Sequence, residues 1–151
     1  MDSPIRLLEH TDQATKEMLE NVRKRKKKFD YAKKMHNYTI MATLLAAFIF
    51  LNYFYFHIAK QNASSFFAMF SASVNDLVNT ILLGLSILLY GTMNILKQQR
   101  EKKEKEYHDL RCEIVDRSKD LWKKEGYWEN RHLVFEMMKK NYDINLYHEK
   151  K

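Results

Sequence analysis

His108, Cys112 and Asp116 fall at i, i+4 and i+8, a spacing that sets an imidazole, a thiol and a carboxylate on one helix face. Donors of those three kinds could ligate a soft divalent metal. A closed structural site needs about four ligands. No second Cys/His pair completes one, so the triplet reads as a polar strip on a charged helix, and neither a metal nor a cofactor is expected. His57 and Asp76 could form a proton- or ion-linked pair. Each sits at the end of an apolar stretch, where capping and hydration account for both. G-x-S-x-G, H-E-x-x-H and a Walker A loop are absent, three glycines cannot cradle a phosphate, and no enzyme is expected. A T-V-G-Y-G potassium filter is absent as well.

The elements that would carry these residues are set by how charge is distributed. The 151 residues hold 26 Lys/Arg and 19 Asp/Glu, for a net charge of +7, which hints at a polyanionic partner. Residues 38–96 contain only Lys60 and Asp76, so nearly all charge lies in the flanks. A soluble domain interleaves polar and apolar positions, whereas this chain separates them by block. Gly is rare and Pro4 is the one proline, so few breakers interrupt helices. Cys112 is the one cysteine, which excludes an intramolecular disulfide and suits a reducing cytoplasm.

Residues 38–58 and 77–96 each supply the roughly 20 apolar residues that cross a hydrocarbon core about 30 Å thick. The first begins too late to be a secretory leader. A buried pair in a soluble bundle is the alternative, but helices apolar on every side need a larger protein around them. Eight basic residues precede the first span: Arg23, Lys24, Arg25, Lys26, Lys27, Lys28, Lys33 and Lys34. Lys97, Arg100, Lys102, Lys103 and Lys105 follow the second, and the connection 59–76 has only Lys60. The positive-inside rule then places both termini in the cytoplasm. The basic run is first a topological anchor, which leaves nucleic-acid binding unnecessary. The same side chains, Arg23 to Lys28, Lys33, Lys34, Lys97, Arg100, Lys102 and Lys103, are candidates for anionic-lipid contact.

In the connection, Phe66, Phe67, Met69 and Phe70 are too apolar for a free loop and are expected in the outer interface. Ser73 and Asp76 fit a capping box that would start the second helix near Val74. Asn62-Ala63-Ser64 matches a glycosylation sequon close to the bilayer. Ala42 with Ala46, and Gly84 with Gly91, offer small-residue faces for helix packing. Asn52, Asn79 and Asn94 are expected to bond within the hairpin or to headgroups.

The arms 1–37 and 97–151 continue the spans without a breaker, the second to about residue 123. Leu8, Thr15, Met18, Val22 and Phe29 fall near heptad spacing, as do Tyr107, Leu110, Ile114 and Leu121. Counted back from the spans, Val22 is level with Leu110 to Ile114 and Phe29 with Glu104 to Tyr107, so an antiparallel pairing of the arms is geometrically open. Gly126 should end the second arm. Residues 127–142 read as an amphipathic helix with Trp128, Leu133, Phe135 and Met138 among its apolar positions, and 143–151 as an extended tail.

The segments "HTDQATKEML" and "RKKKFDYAKK", two spans and a closing "NYDINLYHE" together resemble the YpbF-like family of small two-span bacterial membrane proteins. That family has no assigned activity, so the resemblance implies a bacterial plasma membrane and transfers no functional residue. The layout of two spans, a charged cluster and a helix is also similar to large-conductance mechanosensitive channels. Those have Gly/Ala-rich first spans, whereas span one here has no Gly and many aromatics.

The expected fold is all-α: a two-span transmembrane hairpin with long cytoplasmic helical extensions. The expected role is a non-enzymatic membrane-anchored interaction module, with an oligomeric channel or transporter subunit as the alternative. Its expected partners are the lipid bilayer, a second copy of the chain or a cytoplasmic protein.

Overall fold

A computed structural model describes residues 4–9, 11–124 and 126–147. Among them the structure is helical with no strand: α1 (Gln13–Tyr53), a π-helical stretch (Phe54–Ala59), α2 (Phe66–Asn75), α3 (Leu77–Asp116), α4 (Ser118–Leu121) and α5 (Tyr127–Tyr142). The absence of Gly and Pro from residues 5–83 lets α1 run for 41 residues, about 62 Å at 1.5 Å per residue. The chain divides into two compact units, residues 1–32 with 100–151, and residues 33–99.

The first unit is held by one apolar cluster. Ile5, Leu19, Val22 and Phe29 meet Tyr107, Ile114, Trp122, Val134, Phe135, Met138, Ile144 and Leu146 there. The arms therefore do pair: the Phe29 and Tyr107 rings stack with centroids 6.0 Å apart, and Arg25 Nη1 donates to the Glu106 carbonyl at 2.9 Å. The pairing is not a bare two-helix seam, because α5 and the chain after it supply five of the cluster's buried side chains. Thr15 Oγ1 donates to the Leu121 carbonyl at 3.2 Å, and the exposed Lys124 ammonium reaches Asp12 Oδ1 at 2.7 Å.

Two expectations are corrected in this unit. The second long helix stops at Asp116, not near 123. Arg117 leaves helical geometry at ψ 9°, α4 makes one turn, and Trp122 turns fully inside. Burying a whole indole is worth several times the fraction of a kcal/mol by which propensities differ, so packing decides the break. On α5, Phe135 and Met138 are buried as expected, but Val134 is buried in place of Leu133, and Trp128 is exposed. The tail follows no helix, in line with the extended reading, and it is packed: Ile144 and Leu146 are buried, while residues 148–151 lie outside the described residues.

The end of α5 explains that return. Asp143 adopts the left-handed conformation (φ 56°), its N–H bonds the Lys139 carbonyl, and the Ile144 N–H reaches back to the Met138 carbonyl at 3.2 Å. This is a Schellman-type cap, which brings the residue after the cap against the last helical turn. Ile144 and Met138, the two residues it joins, are both fully buried.

Burial also sets the acidity of Tyr107. It pushes the phenol up, while the Lys26 and Arg111 cations pull it down by less. A phenol raised in the folded state adds stability that is complete below its unfolded value and is lost as pH rises through the folded one. We expect the phenolate absorbance lost in Tyr107→Phe to belong to the late, alkaline end of the tyrosine titration. A difference that titrates with the earliest phenols would contradict the burial.

The second unit contains the apolar stretch. The connection between the long helices is mostly helical, since α2 is capped by Ser65, whose side chain accepts from the Ala68 N–H. The capping box at Ser73 and Asp76 is also corrected. The chain bends at Asp76 (φ −83°, ψ 108°), which ends α2 and caps α3, so α3 starts at Leu77 and not near Val74. Ser73 lies inside α2, and its hydroxyl accepts from Asn79 Nδ2 at 2.8 Å.

Candidate functional site

The apolar helices of the second unit expose their side chains. In the most apolar 18-residue window of each long helix, 0% and 6% of residues are buried. Leu44, Leu45, Phe48, Leu51, Ile81, Leu83, Ile87 and Leu88 are all open to the surroundings. A core helix of a soluble protein would be the reverse. The polar side chains among them bond back to their own helix. Thr43 Oγ1 donates to the Thr39 carbonyl at 2.8 Å, Asn52 Nδ2 to Phe48 at 2.8 Å, Ser86 Oγ to Leu82 at 2.8 Å, and Thr92 Oγ1 to Leu88 at 2.9 Å. Such back-bonding leaves few donors needing water, which suits a medium that supplies none.

At the far end of this unit lies a polar cluster. Asp76 Oδ1 accepts from the Asn79 N–H at 3.0 Å, and Oδ2 accepts from the Tyr53 hydroxyl at 2.9 Å. The Asn79 N–H, against a smaller opposing effect of desolvation and with help from Tyr53, holds the Asp76 carboxyl below the usual carboxylate range. His57 stacks on the Tyr53 ring with centroids 4.5 Å apart. The carboxylate is thus engaged in capping and in the Tyr53 bond, and His57 joins through the ring. Asn79 is buried and donates to both the Ser73 carbonyl and hydroxyl. Tyr53 went unnoticed in the sequence as a partner of Asp76. The signal was its place one helical turn before His57.

A Cβ built on Gly84 or Gly91 meets nothing within 4 Å, and Ala42 is exposed while Ala46 is half-buried. Within one chain Gly84, Gly91 and Ala42 are open, and Ala46 is partly covered.

The basic residues divide into two sets. Arg23 pairs with Glu20, Lys26 Nζ lies 2.9 Å from Asp30 Oδ1 and 3.3 Å from Asp143 Oδ2, Arg100 pairs with Glu104 at 3.6 Å, and Lys103 with Glu106 at 2.9 Å. Arg25 on the Glu106 carbonyl and Lys26 on Asp143 join separate elements of the first unit, whereas the Glu20, Glu104 and Glu106 pairs lie within single helices. Lys24, Lys27, Lys28, Lys33, Lys34, Lys97 and Lys102 are exposed. Position along the helix separates them again. Lys34 is four residues, about 6 Å, from Tyr38, whereas Lys27 is eleven residues, about 16 Å, away.

His108, Cys112 and Asp116 do not gather. His108 Nε2 lies 4.0 Å from Glu104, and among the described residues no group of three His, Cys, Asp or Glu side chains could hold a metal ion.

The family profile described as "Protein of unknown function (DUF2663)" matches residues 18–149. The chain is also similar to the "Uncharacterized protein YpbF" of Bacillus subtilis (strain 168), with 50% identity over 62 residues. That match covers 41% of this chain and 42% of the relative, so it spans under half of either. No solved structure matches. With residues 18–149 inside the profile, the chain belongs to the DUF2663 family.

Proposed function

We propose that this chain is a two-span integral membrane protein of the bacterial plasma membrane, with both termini cytoplasmic, whose first unit is a non-enzymatic interaction module. The observation that carries the reading is the exposure of the apolar helices. Large side chains such as Phe48 and Leu88 face outward on helices long enough to cross a bilayer, and their hydroxyl and amide neighbours bond within the helix. The basic residues next to the spans favour the orientation. Lys33, Lys34, Lys97 and Arg100 lie within about 8 Å of helix from the span ends, inside the headgroup layer of roughly 5–8 Å per side and the Debye length of about 8 Å. Each is worth about 1 kcal/mol near an anionic leaflet before salt and crowding reduce it. The arms then hold a folded unit at the inner surface, where a cytoplasmic protein or a second copy could dock.

Alkaline carbonate washing and labelling test this together. The protein should stay with the membrane pellet. In a Cys112→Ser background, Ser64→Cys should react with an impermeant maleimide on intact cells, and Lys28→Cys only after permeabilisation. Release by carbonate, or the opposite labelling pattern, defeats the proposal. A discrete ring of subunits that passes ions in liposomes would replace it with the channel reading.

A further inference from the structure

We infer that a cavity in the first unit, walled by Arg23, Lys24, Lys26, Lys27, Asp30 and Tyr142, binds a phosphate group, as a phosphate monoester or diphosphate. The source is either a soluble molecule or a lipid headgroup. The inference goes beyond the anchoring role, and the cavity lies wholly within the first unit.

The α1 residues fall at i, i+1, i+3, i+4 and i+7, so their side chains crowd one face of that helix, and the last residue of α5 closes the space. Like charges at these spacings oppose the helix that carries them. The fold offsets only part of this repulsion. Glu20 pairs with Arg23, and Asp30 and Asp143 hold Lys26. Burial works against the Lys26 charge, but the two carboxylates outweigh it and keep the ammonium protonated. Lys24 and Lys27 have no carboxylate partner among the described residues, and both are exposed.

The donors converge from two elements. The Arg23 guanidinium lies 5.4 Å from the centre of the Tyr142 ring. Its Nε is buried and has no hydrogen-bond partner among the described residues. A buried donor without an acceptor is a standing cost, which an oxyanion would remove once the guanidinium turned toward it. Two mobile ammonium groups beside a guanidinium that Glu20 already shares suit a tetrahedral dianion better than a planar carboxylate, which a free Arg fork would satisfy. The cavity is about 250 Å³, several times the roughly 30 Å³ that a water takes in the liquid, yet below the usual size of a pocket for a whole organic ligand. It therefore fits a charged group and leaves the rest of the molecule outside.

The helix rise favours a soluble source. Lys24 and Lys27 precede Tyr38 by fourteen and eleven residues, about 21 and 16 Å of helix, which is beyond a headgroup layer of roughly 5–8 Å.

Calorimetric titration of the full-length protein with inorganic pyrophosphate tests the site, first in phosphatidylcholine nanodiscs. Saturable binding at one site is expected. Each lysine removed should cost about tenfold, so Lys24→Gln with Lys27→Gln should lower affinity by about a hundredfold or abolish it. Lys33→Gln with Lys34→Gln should cost several-fold less than the first pair, because neither side chain lines the cavity. Both lysines of the first pair are exposed, and an unchanged circular dichroism spectrum shows that the fold survives. Nanodiscs containing phosphatidic acid, whose headgroup is a phosphate monoester, identify the source. Unchanged pyrophosphate affinity there indicates a soluble ligand, and a several-fold loss indicates a competing headgroup. Heat no different from sodium chloride of equal ionic strength, or a Lys24/Lys27 double variant that binds like the parent, overturns the inference. Failure of the membrane reading would show earlier and separately, as carbonate release.

Discussion

Leu88→Arg should cost about 3 kcal/mol of membrane insertion, enough to leave most of the protein outside the bilayer or carbonate-extractable. Leu88 sits near the middle of residues 77–96 and is 70% exposed. An exposed leucine in water gives a different expectation. Replacing it with arginine there changes stability by no more than about 0.5 kcal/mol, because no packing is lost and the charge is solvated. Leu7 provides the control: it is 72% exposed and belongs to the first unit. Leu7→Arg should be silent in the same assay. The two leucines are matched by exposure, and on the membrane proposal only Leu88 faces lipid. Equal insertion of the two variants would mean that water, not lipid, faces α3.

Trp122→Ala should destabilise the first unit by about 3–5 kcal/mol, a large part of the 5–15 kcal/mol that holds a typical domain folded. Trp122 is fully buried, and its ring meets Phe135 edge-on with centroids 5.5 Å apart. It also fixes where α3 ends, since the turn through α4 delivers it to the cluster. Its Nε1 is buried with no hydrogen-bond partner among the described residues. Trp122→Phe therefore forfeits no hydrogen bond and should cost only about 1–2 kcal/mol, for the smaller ring and the gap it leaves. Pulse proteolysis of the full-length protein in urea would resolve the two variants by their midpoints. Equal midpoints would place the energy of this residue in its donor, contrary to the geometry.

The parts of the fold that could be read from sequence are those where pattern and packing agree. The helical character followed from the scarcity of breakers, and α5 occupies residues 127–142 as its periodicity indicated. The arm pairing at Phe29 and Tyr107 followed from counting residues back from two apolar runs. What was missed depends on tertiary choices. Nothing in Arg117–Trp122 stops a helix locally, and only the demand to bury Trp122 does so. Leu19 was passed over because a heptad grid anchored on Thr15, Val22 and Phe29 does not select it, yet a helix inside a cluster with α5 buries a wider face. The π-helical stretch Phe54–Ala59 contains no Gly or Pro to announce it. For the candidate sites, charge counts located the basic run correctly. They could not show that Arg25 and Lys26 serve the fold while Lys24 and Lys27 have no carboxylate partner among the described residues, because that depends on where α3 and α5 lie within the first unit.

The two indoles of this protein both belong to the first unit, and they occupy opposite environments: Trp122 is sealed and Trp128 lies on the surface under the Arg131 guanidinium, 3.5 Å from its ring centre. The second unit has none. Tryptophan fluorescence, excited selectively beyond the tyrosine band, is therefore silent on the second unit and reports the first alone, with acrylamide reaching one emitter and sparing the other. Any docking event or loosening of that unit carries its own optical signal, without an added label.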